Sequence, residues 1–190
     1  MMRGNSWPIR VMLSVIIPTR DSERLLVHTL VALVPGATAG VVREVIVADG
    51  GSRDETEQVA DIAGCVFLSS GQSLGARLNV AAERARGDWL MFLAPGTVPG
   101  PTWIEETAAF AQERGQAAVF SAQRAGLADR VRRLFAALPG AEQGLIIRKA
   151  LYAELGRHRA DAADPERDLL RRIGRCRLTV LRTSVSWSDI

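Results

Sequence analysis

Asp49 closes the run Val45-Ile46-Val47-Ala48 and is followed at once by Gly50-Gly51-Ser52. A carboxylate held at the end of a buried strand can accept a hydrogen bond from a uracil N3–H or a ribose hydroxyl, and Gly50 and Gly51 let the backbone approach a ligand closely. The same arrangement is ordinary turn chemistry, so ligand binding and loop closure stand as equal readings of it. Pro18-Thr19-Arg20-Asp21 leaves the preceding apolar run and would flank the same ligand. Ser73 to Asn79 enters a helical pattern whose free N–H groups and dipole favour an anion, with Arg77 and Asn79 as its polar side chains. Asp88 closes the turn Ala85-Arg86-Gly87-Asp88 and reads as structural. His28 falls mid-helix and His158 in an Arg-rich loop; neither keeps the company of a nucleophilic triad, and both are expected at the surface.

These residues can act together only if the chain gathers them. Leu13 to Ile17 is a short, β-branched apolar run stopped by Pro18, which suits a strand buried on both faces. Asp21 or Ser22 can cap a helix with apolar positions Leu25, Leu26, Thr29, Leu30 and Leu33, ended by Pro35-Gly36. Val45 to Ala48, Cys65 to Leu68 and Asp88 to Leu93 repeat the strand signature, with helices from Asp54 to Ile62 and from Leu74 to Arg86 between them. A helix begins at Gly100-Pro101, a strand at Ala117 to Ala122, and Leu127 to Leu138 has the pattern of a basic amphipathic helix. Leu145 to Ile147 reads as a short strand before a helix from Ala150, then Asp168 to Ile173 as helix and Arg177 to Leu181 as a last strand. Alternation of this kind predicts an α/β fold, a Rossmann-like three-layer domain with a mostly parallel sheet flanked by helices. Ligands then gather at the carboxyl ends of the strands.

At 190 residues one well-buried core is expected. Residues 1 to 120 carry 10 Arg against 13 acids, and residues 121 to 190 carry 14 basic residues against 8 acids, which together give the net charge of +3. The later third thus faces solvent or something anionic, such as a diphosphate or an acidic membrane surface. Lys149 is the only lysine, which reads first as compositional bias and only second as anion recognition. With 5% aromatic residues there is no stacking platform for nucleic acid. Cys65 and Cys176 are expected as buried strand residues in a reducing compartment, and Trp89 and Trp103 as core. No leader or spanning segment stands out, so a cytoplasmic protein is expected, with peripheral contact at the inner membrane face as an option.

Three fragments, Ser14-Val-Ile-Ile-Pro-Thr19, Val45-Ile-Val-Ala-Asp-Gly-Gly-Ser-Arg-Asp54 and Ala85-Arg-Gly-Asp-Trp-Leu-Met-Phe-Leu-Ala-Pro-Gly-Thr97, resemble in order and spacing the nucleotide-sugar half of a family 2 glycosyltransferase. The resemblance covers about residues 13 to 122. It implies a GT-A fold of one domain, with residues 1–12 as an extension, 13–122 as the nucleotide-sugar half and 123–190 as the acceptor side. It implies transfer from a nucleotide diphosphosugar to an acceptor that the sequence does not identify. By this match Pro18, Thr19, Asp49, Gly51, Arg77 and Asn79 hold the nucleotide.

Such enzymes place an Asp-x-Asp motif where this chain has Ala94-Pro95-Gly96, and the final Asp holds Mg²⁺ or Mn²⁺ against the diphosphate. Gly96 offers no ligand, so no metal site is assigned. The leaving charge then falls to protein cations, with Arg77, Arg148 and Lys149 as candidates, or the diphosphate is not cleaved and the chain is a nucleotide-binding or partner-binding module. Ala141-Glu142-Gln143-Gly144 through Arg148-Lys149 resembles a Gly-Asp-Gln-Gly segment of a short bacterial subgroup, which puts Gly96, Thr97, Glu142, Gln143 and Arg148 at the diphosphate and acceptor. In that subgroup an Asp is the general base of an inverting reaction. Alignment on Arg171-Arg172 places Glu166 there, with Asp168 as a substitute; the plain alternative is that these acids cap and solubilise the helix.

Overall fold

The computed structural model describes residues 11–113, 115–122 and 143–187. The expected helix at 127–138 and Glu142 lie outside the described residues.

At the centre is β1 (Leu13–Thr19), flanked in parallel by β2 (Val42–Asp49) and β4 (Trp89–Phe92), with β3 (Val66–Ser69) outside β2. Beyond β4 the sheet turns mixed: β7 (Leu145–Arg148) runs antiparallel to it, followed by β6 (Ala117–Ala122), β8 (Leu178–Trp187) and the short β5 (Thr97–Pro99), giving the order β3-β2-β1-β4-β7-β6-β8-β5. Successive side chains of β1 alternate between two apolar layers, Val15 and Ile17 to one face and Ile16 to the other. Both faces are therefore covered, which explains why the central strands read as unbroken apolar runs.

Helices α1 (Glu23–Thr38), α2 (Thr56–Ile62) and α4 (Trp103–Gln112) contribute to the first layer, where Trp89 and Trp103 are buried. Helices α3 (Leu74–Arg84), α5 (Lys149–Glu154) and α6 (Pro165–Ile173) contribute to the second. Helix α1 runs through Pro35-Gly36 instead of ending there. Gly36 is a contact point, since a Cβ on it would collide with the Trp103 ring, and the chain leaves the helix only at Gly40, where φ is 71°. The sequence does not point to strand β5 or the far half of β8, which pair with each other across 86 to 90 residues. Cys65 is only partly buried and Cys176 is exposed in a 3₁₀ turn at Arg175–Arg177, so neither is the buried strand residue expected. Among the described residues no helix is long and apolar enough to cross a membrane.

Strand polarity decides what can share a site. Thr19, Asp49, Ser69 and Phe92 all end parallel strands at one edge. In antiparallel β7, Leu145 pairs with Phe92 at that edge while Arg148 pairs with Trp89 at the other.

Candidate functional site

The exits of β1 and β2 are tied to each other. Asp49 is 1% exposed and accepts five hydrogen bonds: from the Thr19 hydroxyl (3.0 Å), the Gly51 and Ser52 N–H groups (2.8 and 2.9 Å), the Ser69 hydroxyl (2.9 Å) and the Ser52 hydroxyl. Burial alone would raise its pKa, but these donors, Ser52 foremost, overcome it and hold the carboxyl at about 2. Asp21 N donates to Ser52 Oγ and Arg53 N to Asp21 Oδ1, while Asp54 accepts from Glu23 N and Thr56 N. One carboxylate so serves the starts of both α1 and α2. Asp49 is thus the knot of this edge, and its lone pairs are committed to the protein. Ser52 and Ser69 are not singled out by the sequence; a hydroxyl at the exit of each of β1, β2 and β3 is the available signal.

Arg77 reaches this knot from α3. Its Nη1 donates to Thr19 O (3.2 Å) and Ala48 O (2.5 Å), and a Cβ on Gly50 would stand 3.0 Å from its Cζ. Gly50 and the guanidinium compete for one space, so a side chain at position 50 would press on Arg77. Burial lowers the Arg77 pKa, the Asp49 carboxylate opposes this, and nearby Arg20 adds to it. Two cations therefore stand at these exits.

Asn79 does not face the same edge as an open donor. Its Nδ2 donates to His158 O (2.8 Å), and its Oδ1 accepts from the Tyr152 hydroxyl (2.9 Å) and His158 N (3.1 Å). His158, expected at the surface, is 2% exposed with its ring edge-on to Phe92. His28 is exposed as expected.

Gly96 and Thr97 turn away from the exits. Gly96 has φ of 88°, its N–H donates to Leu25 O (3.0 Å) and Thr29 Oγ1 (2.9 Å), and a Cβ would lie 3.0 Å from Leu25 Cδ2. Thr97 is fully buried. A side chain at 96 would point into α1, and no group of three His, Cys, Asp or Glu among the described residues is placed to hold a metal. The residues present do not fit a divalent cation here.

Arg148 and Lys149, expected at the diphosphate, are at the opposite end of the sheet. The Arg148 guanidinium stacks on Trp89 at 5.2 Å from the ring centroid, and Lys149 Nζ donates to Ala85 O. The register of β7 puts them there, because four residues of extended chain carry them about 10 Å from Leu145. Gln143 and Gly144 do enter at the exit edge, where a Cβ on Gly144 would press on Leu93, and the buried Gln143 Oε1 has no hydrogen-bond partner among the described residues.

The two acids of α6 differ in kind. Asp168 is engaged by Arg172 (2.9 Å from Nε, 2.7 Å from Nη2), and Arg159 approaches to 3.8 Å, so it is an ion-pair residue and no free base. Asp164 caps the helix by accepting from Arg167 N at 2.9 Å. Glu166, in the first turn, has no hydrogen-bond donor and no ion pair among the described residues. Burial, and then the Asp164 charge, push its carboxyl up to about 7. The chain leading to it crosses the start of α3, where the Ser73 hydroxyl donates to Ala160 O at 2.7 Å and a Cβ on Gly75 would strike Arg159 O.

No curated protein sequence matches the chain. Solved structures do. Glucosyl-3-phosphoglycerate synthase from Mycobacterium tuberculosis, in complex with Mn²⁺, UDP and glucosyl-3-phosphoglycerate, is similar with a TM-score of 0.69 and 21% identity over 94% of this chain and 72% of that one. Mannosyltransferase PcManGT from Pyrobaculum calidifontis, in complex with GDP-Man and Mn²⁺, gives 0.75 at 16% identity over 93% and 57%. S. aureus TarS 1–349 gives 0.67 at 19% over 89% and 57%. These identities speak for the fold, a GT-A α/β domain, and not for substrates. The profile of "Glycosyl transferase family 2" matches residues 14–169, which spans the tied strand exits, the crossing loop and the first turns of α6, and the chain therefore belongs to that family.

Proposed function

We propose that the protein transfers a sugar from a nucleotide diphosphosugar to an acceptor hydroxyl with inversion, without a bound metal, and with Glu166 as general base. The observation that carries this reading is the Glu166 carboxyl in the first turn of α6: partly buried, with no donor or ion pair among the described residues, and pushed up by its surroundings to about 7, where a base is most effective. Its carboxylate takes the acceptor proton, the acceptor oxygen forms a bond to the anomeric carbon, and the bond from that carbon to the diphosphate breaks. The nucleoside diphosphate leaves with the electron pair. Its charge meets Arg20 and Arg77 at the β1 and β2 exits, a role in which Arg148 and Lys149 cannot share from the far end of the sheet. Pro18, Thr19 and Gly51 line the approach of the base, with Gln143 on the acceptor side.

The test is product formation from a labelled nucleotide sugar. Turnover should rise with pH through a midpoint near 7, since only the ionised Glu166 accepts a proton, and Glu166→Gln should lower kcat by about a hundredfold or more. Unchanged turnover in that variant removes the assigned base. The geometry of Gly96 favours a second reading, a domain that binds nucleotide without cleaving it. Metal-independent binding of a nucleoside diphosphate in calorimetry, with no turnover of any donor, would select it.

A further inference from the structure

Asn79 on α3, Tyr152 on α5 and His158 in the following loop come from distant parts of the chain and close on one another. The Tyr152 oxygen lies 2.8 Å from His158 Nδ1 and donates to Asn79 Oδ1, and the same amide grips the His158 backbone at both N and O. The His158 ring packs 4.8 Å from the centroid of Phe92, the last residue of β4, and Phe92 also meets Tyr152. Burial, and then the Arg172 charge, hold the His158 pKa down at about 3, so the ring is neutral under any ordinary condition. Apolar residues would fill this space at less cost in desolvation; a polar network bonded at this many points instead fixes a single arrangement.

What the network fixes is the loop that ends in α6. Arg172 of α6 donates to Leu155 O and to Arg157 O (2.6 Å), on either side of Gly156, and the Ser73 hydroxyl holds Ala160 O. Six residues after His158 comes the helix cap Asp164, and then Glu166. Helix α6 packs into the second layer through Leu169, Leu170 and Ile173, and its Arg172 grips the same loop that Asn79 and Tyr152 hold at His158.

We propose that His158, held by Tyr152 and Asn79, is a positioning residue that sets where the Glu166 carboxylate stands relative to the strand exits and how far it is exposed to water. The proposal rests on the role of Glu166 given above, and one of its readouts does not need turnover.

Tyr152→Phe removes only the hydroxyl, and His158→Phe keeps a ring against Phe92. Both are first shown to fold by circular dichroism melting. The Glu166 carboxyl is then titrated by ¹³C NMR, assigned by its loss in Glu166→Gln. In both variants its midpoint should fall by about one unit or more towards the ordinary carboxylate range. The kcat with labelled donor should fall about tenfold or more while the donor KM changes less than about twofold, and the double variant should be little worse than either single one. His158→Gln, which restores a neutral hydrogen-bonding group to Tyr152, should recover both readouts. Folded variants with the wild-type midpoint and kcat overturn the proposal. If Tyr152→Phe does not fold, His158→Phe against His158→Gln carries the test, and equal midpoints in those two overturn it. If wild type transfers no sugar, or if Glu166→Gln transfers normally, the proposed function fails, whereas a moved midpoint in His158→Phe still upholds the positioning.

Discussion

Replacing Asp49 by Asn tests whether the strand-exit knot is held by charge. The native carboxyl sits at about 2 against an ordinary 3.8, a difference that corresponds to about 2 kcal/mol of stabilisation of the folded state. The hydrogen bonds give a second figure. Asn can put its amide oxygen where Oδ2 now accepts from Gly51 N and Ser52 N, but its N–H₂ then faces the Thr19 and Ser52 hydroxyls, which donate to Oδ1 in the native knot and would have to turn to accept, at a cost of about 1–3 kcal/mol. The same hydrogen bonds enter both figures, so they are not summed, and Asp49→Asn should cost about 2–3 kcal/mol at pH 7. The sign of the pH dependence follows from the depressed pKa. The contribution is fully present above 3.8 and is lost as pH falls through 2, with about half gone by pH 3. Urea titrations of both proteins at pH 7, 5, 4 and 3 measure it: the gap should be constant from 7 to 5 and narrow below 4. A gap under about 1 kcal/mol at pH 7, or one that stays constant to pH 3, would refute the assignment of the low pKa to this knot.

Gly96→Asp should not create a metal site. The residue would be strained at φ 88° and would press on Leu25, at a cost of about 1–3 kcal/mol, and Mn²⁺ should leave its melting temperature unchanged; a clear rise with Mn²⁺ would contradict the geometry. Gly50→Ala should destabilise by about 1–3 kcal/mol by displacing the Arg77 guanidinium, and a second change, Arg77→Ala, should remove much of the added penalty. Additive losses in a double-mutant cycle would show that the two do not share space. Above pH 7 Glu166→Gln should be more stable than wild type in chemical denaturation, because the folded state disfavours the ionised carboxylate; the difference should vanish below about pH 4, where the native acid is protonated folded and unfolded alike.

The parallel half of the sheet was legible because its strands are short apolar runs punctuated by Pro, Gly or Asp, and local chemistry alone ends them. What escaped was direction and distance. Leu145 to Ile147 reads as a strand, but an apolar run carries no arrow. Only pairing with β4 shows that Gln143 enters at the exits and Arg148 leaves at the far end. Pro35 reads as a stop, yet Trp103, sixty-odd residues later, packs on Gly36 and the helix continues. His158 looks like a surface residue among arginines because Asn79, which holds it, is 79 positions away. The carboxylates 164, 166 and 168 are alike in sequence; capping, isolation and ion pairing separate them only once Arg167 N and Arg172 are in place. At Asp49 the two readings of the turn, ligand acceptor and loop closure, met in one residue, and the hydrogen bonds show how completely the second is realised.

The contact of Gly96 with α1 has a historical consequence. Its N–H is spent on Leu25 and Thr29, and the volume a side chain would need is held by the Leu25 methyl group. An acid introduced here by one codon change would meet that methyl group and a left-handed backbone together, and it would carry the cost in stability unless Leu25 changed as well. Such an arrangement works as a ratchet: a side chain at this position is harder to gain than to lose.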